Sequence, residues 1–397
     1  MTPEAPALEK QRKPERIASI DILRGLAMIL MALDHARSYF GPTPFDPVDP
    51  EWTTPGWFVT RWVTHFCAPV FVFLAGTSAF MVYNRGMSKS ELSRRLITRG
   101  TWLIFAELTI IAAGWGFLFV GMWMLQVIWV IGVSMIVLGL LIYLPKFIIG
   151  AFGIVLIACH NLLDGWSPNT PNQHLIDLWT VLHIQQPIEF FGRTSFDAQR
   201  VFIVYPLIPW VGVMALGYYF GSLVVKARRE LICIGVGLSL TGLFILIRYF
   251  GTYGDANPYD ADNKQPLLAF LNTQKYPPSL LFILMTLGPA IAIMPLLDRL
   301  ARAVPRLVEP VRVFGNVAML YYVLHIPLTH LSAGIWSLVR YNRWVDWIFM
   351  GSFPESYEPS LWVVYISWAL IVFALYPVCL WYARLRKRRR YWWMTYI

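Results

Sequence analysis

The chain has 397 residues, 57% of them hydrophobic and 16% aromatic but only 14% charged, and a mean hydropathy of +0.53. Soluble domains carry about 25% charged residues, so the composition excludes an ordinary soluble enzyme and reads as an all-α, polytopic membrane bundle. A net charge of +10 suits nucleic acid in a soluble protein, but in a membrane chain the location of each Lys and Arg comes first. Cys67, Cys159, Cys233 and Cys379 all fall in apolar segments without CxxC spacing, which disfavours a disulfide framework or a zinc site.

In chain order, residues 1–15 are Pro-bearing and charged and read as a polar tail. Residues 16–384 read as a single transmembrane domain of about ten helices. The first apolar run lacks a cleavage signal and is expected to be a retained helix at about 18–40, stopping before Gly41-Pro42. A second helix is expected at about 57–83, a basic loop at 84–100, and helices at about 101–120 and 122–144 joined by a tight turn near Gly121. Further helices are expected at about 146–162, 201–225, 231–250, 278–297 (broken at Gly288-Pro289), 313–337 and 361–383. Two polar connections, 163–200 and 251–276, are too long to be structureless and are expected to hold interfacial helices or a lid. Residues 385–397 form a basic tail ending in aromatics suited to the membrane interface.

Ten helices place both termini on one side. Lys and Arg number 23 on the termini side and 9 opposite, while acidic residues number 7 and 13. This asymmetry puts both termini in the cytoplasm and accounts for the positive charge through topology and anionic lipid, without nucleic acid.

The first helix carries Asp21 and Arg24 at one end and Asp34 and His35 at the other. At 100° per residue, Arg24 and His35 return to nearly one face, separated by ~16 Å along the axis. Ionisable groups on one stripe of a membrane helix normally face a cavity. Imidazole exchanges a proton near neutral pH, so His35 is the candidate base of a group transfer. Asp34 is placed to orient a histidine on another helix, with His65 the candidate. Arg24, Asp21 and Arg16 are candidates for meeting an anionic carrier from the cytoplasm. The bland readings are an intrahelical Asp21–Arg24 pair, a packing role for Glu107, and interfacial roles for His160 and His330. A metal held by His35, His65 and His325 has no supporting spacing, and none is expected.

The run Ser19-Ile20-Asp21-Ile22-Leu23-Arg24-Gly25, continuing to Asp34-His35, resembles the opening helix of the heparan-α-glucosaminide N-acetyltransferase catalytic-domain family. The stretches His65–Gly76, Tyr205–Gly212 and Lys275–Leu281 fit that family's bacterial branch. The resemblance implies transfer of an acetyl or acyl group from cytoplasmic acyl-CoA, as co-substrate, to a glycan-like or other acceptor on the outer side. It carries over Asp21 and Arg24 by position. The family's lysosomal enzyme aligns an Asn with His35 and has its histidine in a following stretch that is absent here. Either His35 or His65 substitutes as the catalytic histidine, with Asp34, or this branch does different chemistry. The alternative reading is a proton-coupled transporter or exporter using the same stripe. Oligomerisation is compatible with either.

Overall fold

A computed structural model describes residues 17–189, 200–345, 354–389 and 391–395. Arg16, Arg193 and Asp197 lie outside the described residues. The first helix, α1 (Ala18–Phe40), runs as expected and is built without a capping side chain of its own. Instead, Asp298 Oδ1 accepts from Ser19 N at 2.8 Å, so a distant carboxylate satisfies an orphan N–H and complements the positive end of the helix dipole. The segment α2 (Pro55–Trp62) continues through a 3₁₀ turn (Val63–Phe66) into α3 (Cys67–Asn84).

The expected basic loop at 84–100 is instead mostly α4 (Lys89–Ala106). Its start is a capping box, Ser88-x-x-Glu91, in which Ser88 Oγ accepts from Glu91 N and Glu91 Oε2 from Ser88 N. Local hydrogen bonding outweighs the charge run that made the stretch look like a loop. A π-helical turn (Glu107–Ile111) leads to α5 (Ala112–Trp115), which Gly116 ends in the left-handed region.

The purely helical expectation needs a further correction. A short three-stranded sheet joins β1 (Met122–Leu125), β2 (Pro187–Glu189) and β3 (Arg200–Ile203) in the order β1-β3-β2, with β1 parallel and β2 antiparallel to β3. The β-branched and aromatic run Val201-Phe202-Ile203 favours a strand, and Pro206 delays the helix expected from 201.

Between the strands lie α6 (Val127–Leu141), α7 (Lys146–Cys159) and α8 (Gln173–His183), the last being an interfacial-length helix in the first long connection. Then come α9 (Leu207–Val224), α10 (Arg229–Phe250) and α11 (Pro266–Leu271), followed by α12 (Leu280–Ala292) and α13 (Met294–Ala303). The expected break at Gly288-Pro289 falls at Ile293. The expected single helix at 313–337 is a bent pair, α14 (Pro305–Asn316) and α15 (Ala318–Tyr341), meeting at 83°. The last long helix is α16 (Leu361–Arg388).

Seven of these segments are long and apolar enough to cross a membrane, or eight if the bent pair is one span. The protein is therefore an integral membrane protein with fewer self-evident spans than ten. The apolar windows of α12–α13 and α9 are 78% and 72% buried, while those of α10 and α16 are 17% and 22% buried. The former line the interior, and the latter turn their apolar faces outward. Close packing relies on small residues: a Cβ on Gly25 would strike the Val311 carbonyl oxygen, and one on Gly315 the Asp21 carbonyl oxygen. Helices α1 and α14 thus cross backbone to backbone.

Candidate functional site

The C-terminal end of α1 forms one wall of a cavity of about 200 Å³. Asp34 and His35 line it, with Arg61 from α2, Lys275 and Tyr276 from the second long connection, and Tyr205 from the turn after β3. The sheet positions that turn, because Val204 N and Tyr205 N both donate to Leu125 O at 3.1 and 3.2 Å. Lys275 and Tyr276 are held by two staples. Buried Arg248 donates to the carbonyls of Asn257, Ala269, Phe270 and Asn272 at 2.6–3.0 Å. Asp255 Oδ2 accepts from Gln274 N at 3.0 Å and Ser279 Oγ at 2.5 Å. Burial pushes the Asp255 carboxyl above its ordinary range, against these hydrogen bonds.

His35 has an oriented imidazole. Its Nδ1 lies 2.7 Å from Nε2 of His325, whose own Nδ1 lies 3.0 Å from the Tyr321 carbonyl oxygen. That oxygen only accepts, so His325 Nδ1 carries a proton and, in the neutral ring, Nε2 accepts from His35 Nδ1–H. The lone pair of His35 therefore sits on Nε2, which has no protein partner among the described residues. Trp115 packs edge-on against His35 at 4.9 Å and also lines the cavity.

Asp34 pairs with neither His35 nor His65. Arg61 Nη1 donates to its two oxygens at 2.5 and 2.6 Å, and Arg37 Nη2 donates to Oδ1 at 3.2 Å. The expected partner is replaced because Arg61 sits one turn before His65 and reaches the carboxylate first, as a charge-assisted donor. His65 is buried against Phe282 at 5.4 Å and does not line the cavity.

At the other end of α1 lies a larger chamber of about 720 Å³, lined by Asp21, Arg24, Arg85, Arg95, Arg99 and Arg386 among others. Arg24 lies 3.7 Å from Asp21, and donates to Ser78 Oγ at 3.0 Å and to Gly315 O at 3.4 Å. The intrahelical pair therefore exists inside a chamber wall, where structural and binding roles coincide. Tyr391, Trp392 and Met394 of the C-terminal tail also line this chamber, so the tail folds against the protein. Arg24 and His35 line two separate spaces, and Phe71 of α3 is the residue common to both walls.

The remaining candidates find local partners. Glu107 Oε2 accepts from Trp129 N at 3.1 Å and so caps the start of α6. His160 bridges the carbonyls of Ile157 and Pro278 at 2.9 Å each. Trp166 and Trp179 pack on each other at 4.7 Å outside the cavity lining. Beside them, His183 Nε2 lies 3.1 Å from Asp164 Oδ1, and Asn161 donates to Oδ2 at 2.7 Å. Burial raises the Asp164 carboxyl, but these hydrogen bonds outweigh it and hold it below the ordinary carboxylate range. Among the described residues no three His, Cys, Asp or Glu side chains converge as metal ligands.

The sequence profile described as heparan-alpha-glucosaminide N-acetyltransferase, catalytic, matches residues 16–247, which is more than half of the chain. The chain belongs to the heparan-alpha-glucosaminide N-acetyltransferase catalytic-domain family. No curated protein matches it significantly. Membership supports a membrane acetyltransferase and does not favour the transporter reading. The family match contains Asp21, Arg24, Asp34, His35, Arg61, His65, Phe71 and Tyr205 but ends before Lys275, Tyr276 and His325. Neither Arg61 nor Lys275 stands out in the sequence as a site residue. The stretches Tyr205–Gly212 and Lys275–Leu281, which drew the family comparison, are where two walls of the cavity arise.

Proposed function

We propose that this protein is an acyl-CoA-dependent membrane acyltransferase that moves an acetyl group from a cytoplasmic donor to an acceptor on the outer side. Counting α1, whose charges keep it from the apolar tally, short α6 and the bent α14–α15 pair gives ten crossings, with both termini in the cytoplasm of a bacterial inner membrane. The observation that carries the reading is the pair of chambers at the two ends of α1, meeting at Phe71. The arginine-lined chamber suits the phosphates of CoA, because guanidinium donors pair well with phosphate oxygens. The thioester arm would pass Phe71 toward His35 over the ~16 Å that eleven helical residues span.

In the far cavity, His35 Nε2 would take the proton of the acceptor amine or hydroxyl as that atom attacks the thioester carbonyl carbon. The carbon–sulfur bond then breaks, and the departing thiolate recovers the proton from His35. Asp34, tied to Arg37 and Arg61, serves to fix the arginines rather than the histidine. Asp21 and Arg24 set the donor-side wall. Incubating membranes containing wild type or His35→Ala with acetyl-labelled acetyl-CoA tests the reading. Label transfer that survives the substitution unchanged removes His35 from the mechanism.

A further inference from the structure

The far cavity has an unbalanced charge. Arg37, Arg61 and Lys275 bring three positive charges to its wall, and Asp34 is the one carboxylate among its lining residues, leaving an excess of two. Both arginines are engaged with Asp34, although Arg61 uses only Nη1 for that contact. Lys275 differs. The residue as a whole is 9% exposed, and its ammonium lies over the Tyr276 ring at 5.1 Å. It has no hydrogen-bonding or ion-pairing side chain among the described residues. The ammonium faces the cavity, and the nearest opposite charge, Asp34, acts on it from beyond ion-pairing distance while already held by two arginines, so its charge is only partly offset. The loop that presents it is nonetheless held in place by Arg248 and Asp255. A rigidly presented, under-neutralised cation beside the candidate base is what an anionic ligand completes.

We propose that this cavity selects an acidic acceptor. Lys275, seconded by Arg61, holds a carboxylate or phosphate group of a small amine or alcohol, while His35 addresses the nucleophilic atom. A cavity of about 200 Å³ fits this scale, since one of ~150 Å³ takes a benzene molecule. The inference rests on reading this cavity as the acceptor side, and the test separates the two claims.

Purified full-length protein in detergent is first saturated with CoA, filling the arginine-lined chamber. It is then titrated at millimolar concentrations with ¹⁴C-acetate and, separately, with ³²P-phosphate. Wild type is expected to bind one equivalent of at least one anion, and the tighter of the two identifies the acidic group. Lys275→Met is expected to weaken that binding about tenfold or more, the loss of a charge-assisted contact. Lys275→Arg should retain it within a few-fold, and Lys264→Met, on the exposed part of the same connection, should leave it unchanged. Lys275→Gln is measured alongside, and intact CoA binding by either variant shows that the fold is kept. No anion binding in wild type, or equal binding in Lys275→Met, overturns the proposal. Lys275-dependent anion binding in a protein that does not bind CoA would sustain it while removing the donor reading.

Discussion

The tautomer of His35 depends on one contact, and His325→Leu removes it. In the wild type His35 Nδ1–H has an acceptor at 2.7 Å, so its other nitrogen is left as a base. Leucine keeps the bulk but leaves a buried N–H without a partner, which costs about 1–3 kcal/mol. The imidazole then gains by moving its proton to Nε2, where the cavity can solvate it, and the tautomer ratio shifts against the base. At 1.4 kcal/mol per factor of ten, kcat should fall roughly ten- to a hundredfold, with KM for acetyl-CoA little changed. His35→Ala should cost more, within the ~10²–10⁴-fold that a general base supplies. His325→Gln, whose Oε1 can accept the same bond, should recover part of the rate. The assay is label transfer from acetyl-CoA across a donor titration in membranes. If His325→Leu retains wild-type kcat, or if its effect persists in full on top of His35→Ala, the two rings do not act as a unit and the relay is refuted.

Four further outcomes follow from the geometry. Gly25→Ala should destabilise the protein by about 2 kcal/mol in detergent melts, because the collision with the Val311 backbone costs about 3 kcal/mol against the ~1 kcal/mol gained in helix propensity; an unchanged melt would contradict the α1–α14 crossing. Arg85→Gln combined with Arg95→Gln should raise KM for acetyl-CoA about tenfold, diminishing in high salt, with kcat retained; an unchanged KM would place the donor elsewhere. Phe71→Ala should raise the rate with butyryl-CoA relative to acetyl-CoA about tenfold or more, since each methylene admitted to an apolar pocket is worth ~1–3 kcal/mol, and an unaltered ratio would show that Phe71 does not separate the chambers. The depressed Asp164 carboxyl contributes stability that is present above its unfolded pKa of ~3.9 and is lost as pH falls through the lower folded value. Tryptophan fluorescence from Trp166 and Trp179 should therefore change on acidification below about pH 4, and Asp164→Asn should abolish that acid step.

Much of the helical plan was legible because period and hydropathy report burial in lipid directly. α1 and α10 fall close to the expected limits, and Gly41 and Gly251 mark their ends. The misreadings occurred where local hydrogen bonding or backbone chemistry outweighs composition. Five basic residues made 84–100 look like a loop, yet Ser88 and Glu91 start a helix there, a signal present in the sequence as Ser-x-x-Glu. The small sheet was hidden because β1 and β3 are separated by more than seventy residues, a pairing that periodicity cannot show. The bend at Val317 had a local signal, Gly315-Asn316 just before it, but the apolar pattern resumes at once on the far side and reads as one continuous helix.

At the site, the sequence made the ends of α1 visible but not the partners that three-dimensional packing delivers. Asp34 and His35 are adjacent in the chain and invite a single assignment, yet on a helix neighbours point ~100° apart. The structure uses that divergence. Asp34 turns toward Arg37 and Arg61, while His35 turns toward His325, nearly three hundred residues later. The carboxylate is thereby kept from the histidine, which has a neutral acceptor behind it. That choice suits a base working beside an anionic acceptor. A carboxylate behind His35 would raise the basicity of its Nε2 lone pair, as in Ser-His-Asp triads, while placing a second negative charge near the acidic acceptor. A neutral histidine relay keeps that lone pair free, and the positive charge that an acidic acceptor needs is supplied separately by Lys275 and Arg61.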